Sequence, residues 1–216
     1  MFNKFVGVII IPMFIQLFFD SPILFIVLAI CLVLSLTVHE FAHALAAHKL
    51  GDDTAKYLGR LSLNPAKHLD PLGTLLLLTL GFGWGKPVPF NPNNLKKPRE
   101  GGAIISFAGP LSNLILGVIF AILHNLVGNS LGILSLFFYF MVYYNLLLAF
   151  FNLLPFHPLD GFKVVFGLLP RNLALQWMQM EQFGLLILIV LLATRSTSII
   201  LSPLLDISMK ILGVSI

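Results

Sequence analysis

Of the 216 residues in this chain, 58% are hydrophobic and only 10% are charged, whereas ordinary globular domains carry roughly 25% charge. So apolar a soluble chain would lack the polar surface to cover itself, which leaves an all-α polytopic membrane protein as the expected class. The net charge of +4 is small, and no basic stretch has the length or interleaved aromatics of a nucleic-acid patch.

The pattern of apolar runs predicts about five to six transmembrane helices plus a short re-entrant or extended segment. A first, short span covers roughly 3–19; no small-x-small cleavage site follows, which argues against a removable signal peptide. The second runs over 22–50, with Gly51 as its stop and Cys31, the only cysteine, as a small buried hydrophobe within it. Residues 51–70 are polar, with a short strand or extended stretch expected between Tyr57 and Leu63. The apolar stretch 71–82 is too short to cross alone and reads as re-entrant or as a hairpin. After a Pro/Gly/Asn-rich loop over 83–100 come spans at 102–127 and 131–154, joined by a tight turn at Gly128-Asn129-Ser130. A mixed region precedes a last span at 183–203 and an apolar tail.

Eleven basic residues fall in this scheme on one side: Lys4, Lys49, Lys56, Arg60, Lys67, Lys86, Lys96, Lys97, Arg99, Lys163 and Arg171. The loops of the other side, 20–22 and 128–130, have none. The positive-inside rule then places the N-terminus and large loops in the cytoplasm, for a multi-pass protein of the cell membrane. One domain over 1–216 accounts for the chain, without room for an appended soluble module.

The chemistry is concentrated in His39-Glu40-Phe41-Ala42-His43, toward the cytoplasmic end of the second span. Two imidazoles four apart on a helix share a face and can hold one Zn²⁺. The glutamate between them can take a proton from a water that the metal activates. This motif alone also arises by chance, and a structural polar cluster is the plain alternative. Yet two histidines and a glutamate on an apolar helix each need a partner.

A catalytic zinc needs a third protein ligand. Only Glu40, Glu100 and Glu181 are glutamates, and neither Glu100 nor Glu181 has a suitable context. That weakens a zinc protease of the type that processes prenylated C-termini. Asp160 is better placed: Pro155, Pro158 and Gly161 break the helix around it just after an apolar span. An unpaired carboxylate at that depth costs roughly 2.5–3.5 kcal/mol even on the mild insertion scale. Asp160 has a second reading as cap of the following short helix, and His157 is a rival ligand. His48 lies about half a turn round from His39 and faces away. His124, near the far end of its span, reads as structural or interfacial, while the loop carrying His68 has the length to fold over the site.

These residues resemble the site-2 protease family of intramembrane zinc metalloproteases. The resemblance extends from about Ile23 to Leu201 and rests on two motifs, His39-Glu40-Phe41-Ala42-His43 and the set Asn152, Pro155, Pro158, Asp160 and Gly161. The segments Gly59-Arg60-Leu61-Ser62-Leu63-Asn64-Pro65, Gly85-Lys86-Pro87-Val88-Pro89 and Ala108-Gly109-Pro110-Leu111-Ser112-Asn113 look like its small bacterial branch, without PDZ or CBS modules. The resemblance implies His39, His43 and Asp160 as ligands of one Zn²⁺ per chain, and Glu40 as general base. It makes Asn152 a polar contact for the scissile backbone or oxyanion, although a residue at that place more often caps a helix. Asn113 in a span more often bonds another helix. The loop departs from the family pattern at His157. The implied substrates are transmembrane proteins or signal peptides in the bilayer, and no nucleic acid. A metal-binding membrane transporter and an inactive relative acting as a binding partner are the alternatives; neither requires Glu40 beside the ligands.

Overall fold

The computed structural model describes residues 13–80, 83–128, 132–194 and 196–215. Ten α-helices carry the described chain: α1 (Met13–Asp20), α2 (Pro22–Lys49), α3 (Thr54–Tyr57), α4 (Pro71–Leu80), α5 (Pro98–Val127), α6 (Ile133–Asn152), α7 (Asp160–Leu168), α8 (Arg171–Gln179), α9 (Glu181–Ala193) and α10 (Ser196–Ile211). Most of the first expected span, and residues 129–130 of the expected turn, lie outside the described residues.

The all-α membrane class holds, with a lower span count among the described residues. Only α2, α5 and α6 are long and apolar enough to cross a bilayer. A fourth span results if α8 and α9, bent by 59° at their junction, count as one. The expected continuous span at 183–203 is interrupted instead: α9 ends at Ala193 and α10 starts at Ser196. At the end of α9, Thr194 N and Oγ1 both donate to Val190 O, at 2.9 and 2.7 Å. At about 1.5 Å per residue, the 10-residue α4 is half a bilayer long, so 71–80 is a short helix rather than a hairpin.

The 57–63 stretch is not a strand. Asp53 is the N-cap of α3, Asp52 just before it accepts from Thr54 N and Oγ1, and a turn at Gly59 (φ 69°) follows the helix. Extended pairing among the described residues is one isolated bridge between Leu69 and Gly85.

Helix packing follows the sequence stripes. On α2 the residues Val27, Cys31, Ser35, His39, His43 and Ala47 recur every fourth position and are buried. Ile26, Ile30 and Leu34, each one position before a member of that stripe, lie exposed on a neighbouring face, as on a helix whose solvent is lipid. The inward stripe of α5 is built of small and polar groups, including Ser106, Gly109, Asn113, Gly117 and Ala121. Small residues let backbones approach closely, and α5 packs against α2, α6 and α7. Cys31 is fully buried, as expected. At the far end, Leu201, Leu205 and Met209 of α10 cluster with Val142, Leu146 and Ala121. At the near end, Asp52 accepts from Asn91 N and Asn94 Nδ2 (both 2.7 Å), tying the 91–94 turn to the foot of α2.

Candidate metal centre

Two helices bring three donor atoms to one point. His39 Nε2 and His43 Nε2 lie 3.0 Å apart, and each is 3.1 Å from Asp160 Oδ2. The histidines sit on the buried stripe of α2, and Asp160 is the first residue of α7. The outer ring nitrogens fix what the inner ones carry. His39 Nδ1 is 2.6 Å from Asn113 Oδ1, and His43 Nδ1 is 2.7 Å from the Ile105 carbonyl. Both partners are acceptors, so each Nδ1 holds the proton and each Nε2 is left with a lone pair. The orientation of the Asn113 amide follows from its other side, where Nδ2 donates to Ser35 O (3.1 Å) and Asn145 Oδ1 (2.8 Å).

Two lone pairs and a carboxylate oxygen thus face one another. One proton can serve two of them, but only a cation serves all three. Tetrahedral zinc, with bonds of about 2.0–2.2 Å, sets its ligands about 3.3–3.6 Å apart, close to the triangle seen here. The wall opposite is shaped to match: a Cβ on Gly109 would lie 2.5 Å from His43 Nε2 and 2.6 Å from His39 Nε2. The residues therefore fit a zinc ion.

Asp160 reaches this point because its surroundings break the helix in the right place. α6 ends at Asn152, and α7 starts with Leu159, not Asp160, as its N-cap, with no side-chain capping bond. The carboxylate is directed at the histidines instead. Gly161 lets α7 rest on the end of α6, since a Cβ there would come within 2.3 Å of Leu153 O. His157 is not part of the cluster; its Nδ1 is 3.5 Å from Glu181 Oε1. Asn152 donates Nδ2 to Leu148 O (2.9 Å), a bond along its own helix. Glu40 is 9% exposed, between the two histidines.

The remaining histidines fall where their surroundings put them. His48 pairs with Asp53, away from the cluster. His124 is buried between Ser135 O and Ser215 O (both 3.3 Å). His68 is fully buried and bonded to Arg60, whose Nη2 is 4.0 Å from Glu40 Oε2.

The support beneath His39 runs from Asn113 through Ser35 and Asn145, two residues the sequence did not single out. Asn145 Nδ2 donates to Ser35 Oγ and to Met141 O, both at 2.8 Å. Ser35, Asn113 and Asn145 thus join α2, α5 and α6 in one buried polar chain ending on the His39 imidazole. Their signal was available: each is a polar group in an apolar span, where a partner is required. Asn113→Ala should weaken zinc binding by about 10–100-fold, since outer partners orient ligand histidines. Competition with a chelating dye measures this; unchanged affinity would assign Asn113 to helix packing alone.

The description "Peptidase family M50" matches residues 125–193, a stretch containing Asn152 and Asp160. "Putative zinc metalloprotease YwhC" of Bacillus subtilis is 46% identical over 188 residues, covering 83% of this chain and 85% of that protein. The chain belongs to peptidase family M50, the site-2 protease family. "Putative zinc metalloprotease Rip2" of Mycolicibacterium smegmatis is 31% identical over 74% of this chain and 64% of its own length. "Zinc metalloprotease MJ0392" of Methanocaldococcus jannaschii is 28% identical over 71% of this chain and 37% of its own. No solved structure matches. Family and donor set agree on an intramembrane zinc metalloprotease, and the transporter reading is set aside.

Proposed function

We propose that this M50 peptidase cleaves membrane-anchored proteins or signal peptides in or beside their transmembrane segments, with His39, His43 and Asp160 holding one zinc and Glu40 as general base. The observation that carries the assignment is the convergence of the two unprotonated Nε2 atoms and Asp160 Oδ2 beside a buried glutamate. Zinc held there supplies Lewis-acid activation of water and of the peptide carbonyl. Glu40 takes the proton from the attacking water and returns it to the departing amide nitrogen. Asn152, at the end of α6, has a second amide hydrogen and its carbonyl for the substrate backbone or the oxyanion. A substrate helix keeps its carbonyls in hydrogen bonds, so it must unwind locally before it can react.

The reading of sidedness rests on charge. His43 is six residues from the end of α2, about 9 Å inside it. The loops at that end carry the basic residues, which supports a site nearer the cytoplasmic face of a multi-pass cell-membrane protein.

Glu40→Gln tests the function. The variant is expected to retain one zinc per chain and to lose cleavage by about 10²–10⁴-fold, the usual contribution of a general base. It should also retain bound substrate, so mass spectrometry of membrane peptides recovered with it identifies what the enzyme cuts. Wild-type cleavage by this variant would overturn the assignment of Glu40.

A further inference from the structure

Glu40 Oε2 is buried and has no hydrogen-bond partner among the described residues. The cation nearest to it is Arg60, in the loop after α3, with Nη2 at 4.0 Å. That distance is outside hydrogen-bond reach but within ion-pair range. The Arg60 side chain is only 4% exposed, and it is not free to swing. Nη1 donates to Pro87 O at 3.0 Å, and Nη2 donates to Lys86 O and, at 3.4 Å, to His68 Nδ1. His68 is suited to accept, because its Nε2 donates to Ser62 O at 2.6 Å and leaves Nδ1 with the lone pair. Lys86 N in turn bonds His68 O at 2.8 Å, closing the two loop segments on each other.

These three acceptors serve Nη1 and Nη2 but carry no charge, and the buried Nε has no hydrogen-bond partner among the described residues. A buried guanidinium needs a counter-charge as well, and the carboxylate of Glu40 is the one within 4.0 Å among the described residues. Burial draws the Arg60 guanidinium below its ordinary range, and the Glu40 charge acts against this. A purely structural arginine, joining residues 60–68 to 86–87, would need the carbonyls and His68 alone. It would not need to be directed at the buried, unpartnered oxygen of a carboxylate between two metal-ligating histidines.

We propose that Arg60 is a positioning residue for proteolysis: it holds Glu40 through Oε2 in one orientation, leaving the other carboxylate oxygen to serve the water and the departing amide. The proposal rests on Glu40 being the general base. Its residues are brought together from α2, from the loop after α3 and, through the carbonyls, from the loop after α4.

The test uses the full-length, zinc-loaded chain in phosphatidylcholine–phosphatidylglycerol vesicles. The probe is a single-span peptide with a quenched fluorophore pair. Arg60→Ala should lower kcat by about 100-fold, the usual effect of a misplaced catalytic group. KM should stay within about twofold, because substrate binding is untouched. Zinc content should not change, and added methylguanidinium should restore part of the rate. Thermal unfolding supplies a readout independent of catalysis: the loss of Tm on Arg60→Ala should be less than half as large in a Glu40→Gln background, because the ion pair is already gone. If the alanine variant does not fold, Arg60→Gln is measured in the same way. An unchanged kcat, or an equal loss of Tm in both backgrounds, would reduce Arg60 to a loop anchor. Full activity of Glu40→Gln would overturn the general-base reading and this proposal with it. Loss of activity in Glu40→Gln with kcat unchanged in Arg60→Ala overturns this proposal alone.

Discussion

Asp160→Ala is expected to abolish cleavage and to take zinc content from one per chain to near zero, while His157→Ala leaves both within about twofold. The two residues are three apart in a loop rich in proline, and sequence alone leaves them as rivals. The structure separates them by direction: Asp160 Oδ2 is 3.1 Å from both histidine nitrogens, whereas His157 is turned to Glu181. In the proposed centre, removing Asp160 takes away the one negative donor and leaves two neutral imidazoles, too few for a tetrahedral site. Asp160→Asn should fail as well, because a neutral carboxamide oxygen is a weak ligand for zinc. The fold should survive, since Leu159 occupies the N-cap position and a carboxylate in the first turn of α7 contributes only about 0.3–1 kcal/mol. The His157–Glu181 pair is partly exposed, and such pairs are worth about 0–1 kcal/mol. Metal analysis beside circular dichroism checks both variants; a zinc-replete Asp160→Ala would overturn the ligand assignment.

What the sequence made legible was whatever depends on local periodicity. The i,i+4 spacing put His39 and His43 on one face, and the run of Pro155, Pro158 and Gly161 marked where a carboxylate leaves the helix. Long-range partners were harder to see. Asn145 lies 110 residues from Ser35, and nothing in the apolar run around either one identifies the other. Arg60 read as one basic loop residue among several, because a cation held by backbone carbonyls 26 and 27 residues away has no sequence signature. Apolar runs also overstate spans. The stretch 183–203 has the composition of one crossing, yet α9 ends at Ala193 and α10 starts at Ser196. Alternating side chains between Tyr57 and Leu63 suggested a strand, but a turn of helix runs over Thr54–Tyr57 and Gly59 turns the chain at φ 69° after it.

Gly109→Ala should be as damaging as loss of a ligand, although glycine touches no substrate or metal in the proposed scheme. Within a helix, glycine to alanine ordinarily stabilises by up to about 1 kcal/mol. Gly117, on the same inward face of α5, provides that control: its added Cβ would meet Leu146 Cδ2 at 3.4 Å, a normal contact. At Gly109 the same methyl would lie 2.5 Å from His43 Cε1 and Nε2 and 2.6 Å from His39 Nε2. Neither ring can step aside, because Asn113 Oδ1 holds one Nδ1 and Ile105 O the other. The strain must go into the backbone separation of α2 and α5, at about 1–3 kcal/mol for an overfilled core. Displacing the two nitrogens also spoils the triangle they form with Asp160. Zinc affinity should therefore fall by at least about 100-fold and cleavage with it, a larger effect than that of losing an outer hydrogen-bond partner. Gly117→Ala, measured in parallel, should keep full zinc content and activity. Opposite outcomes from one chemical change, eight residues apart on one helix, would locate the effect in the space around the ligand atoms rather than in helix flexibility. Equal outcomes at both positions would mean that the close approach of α5 to His39 and His43 is not what shapes the centre.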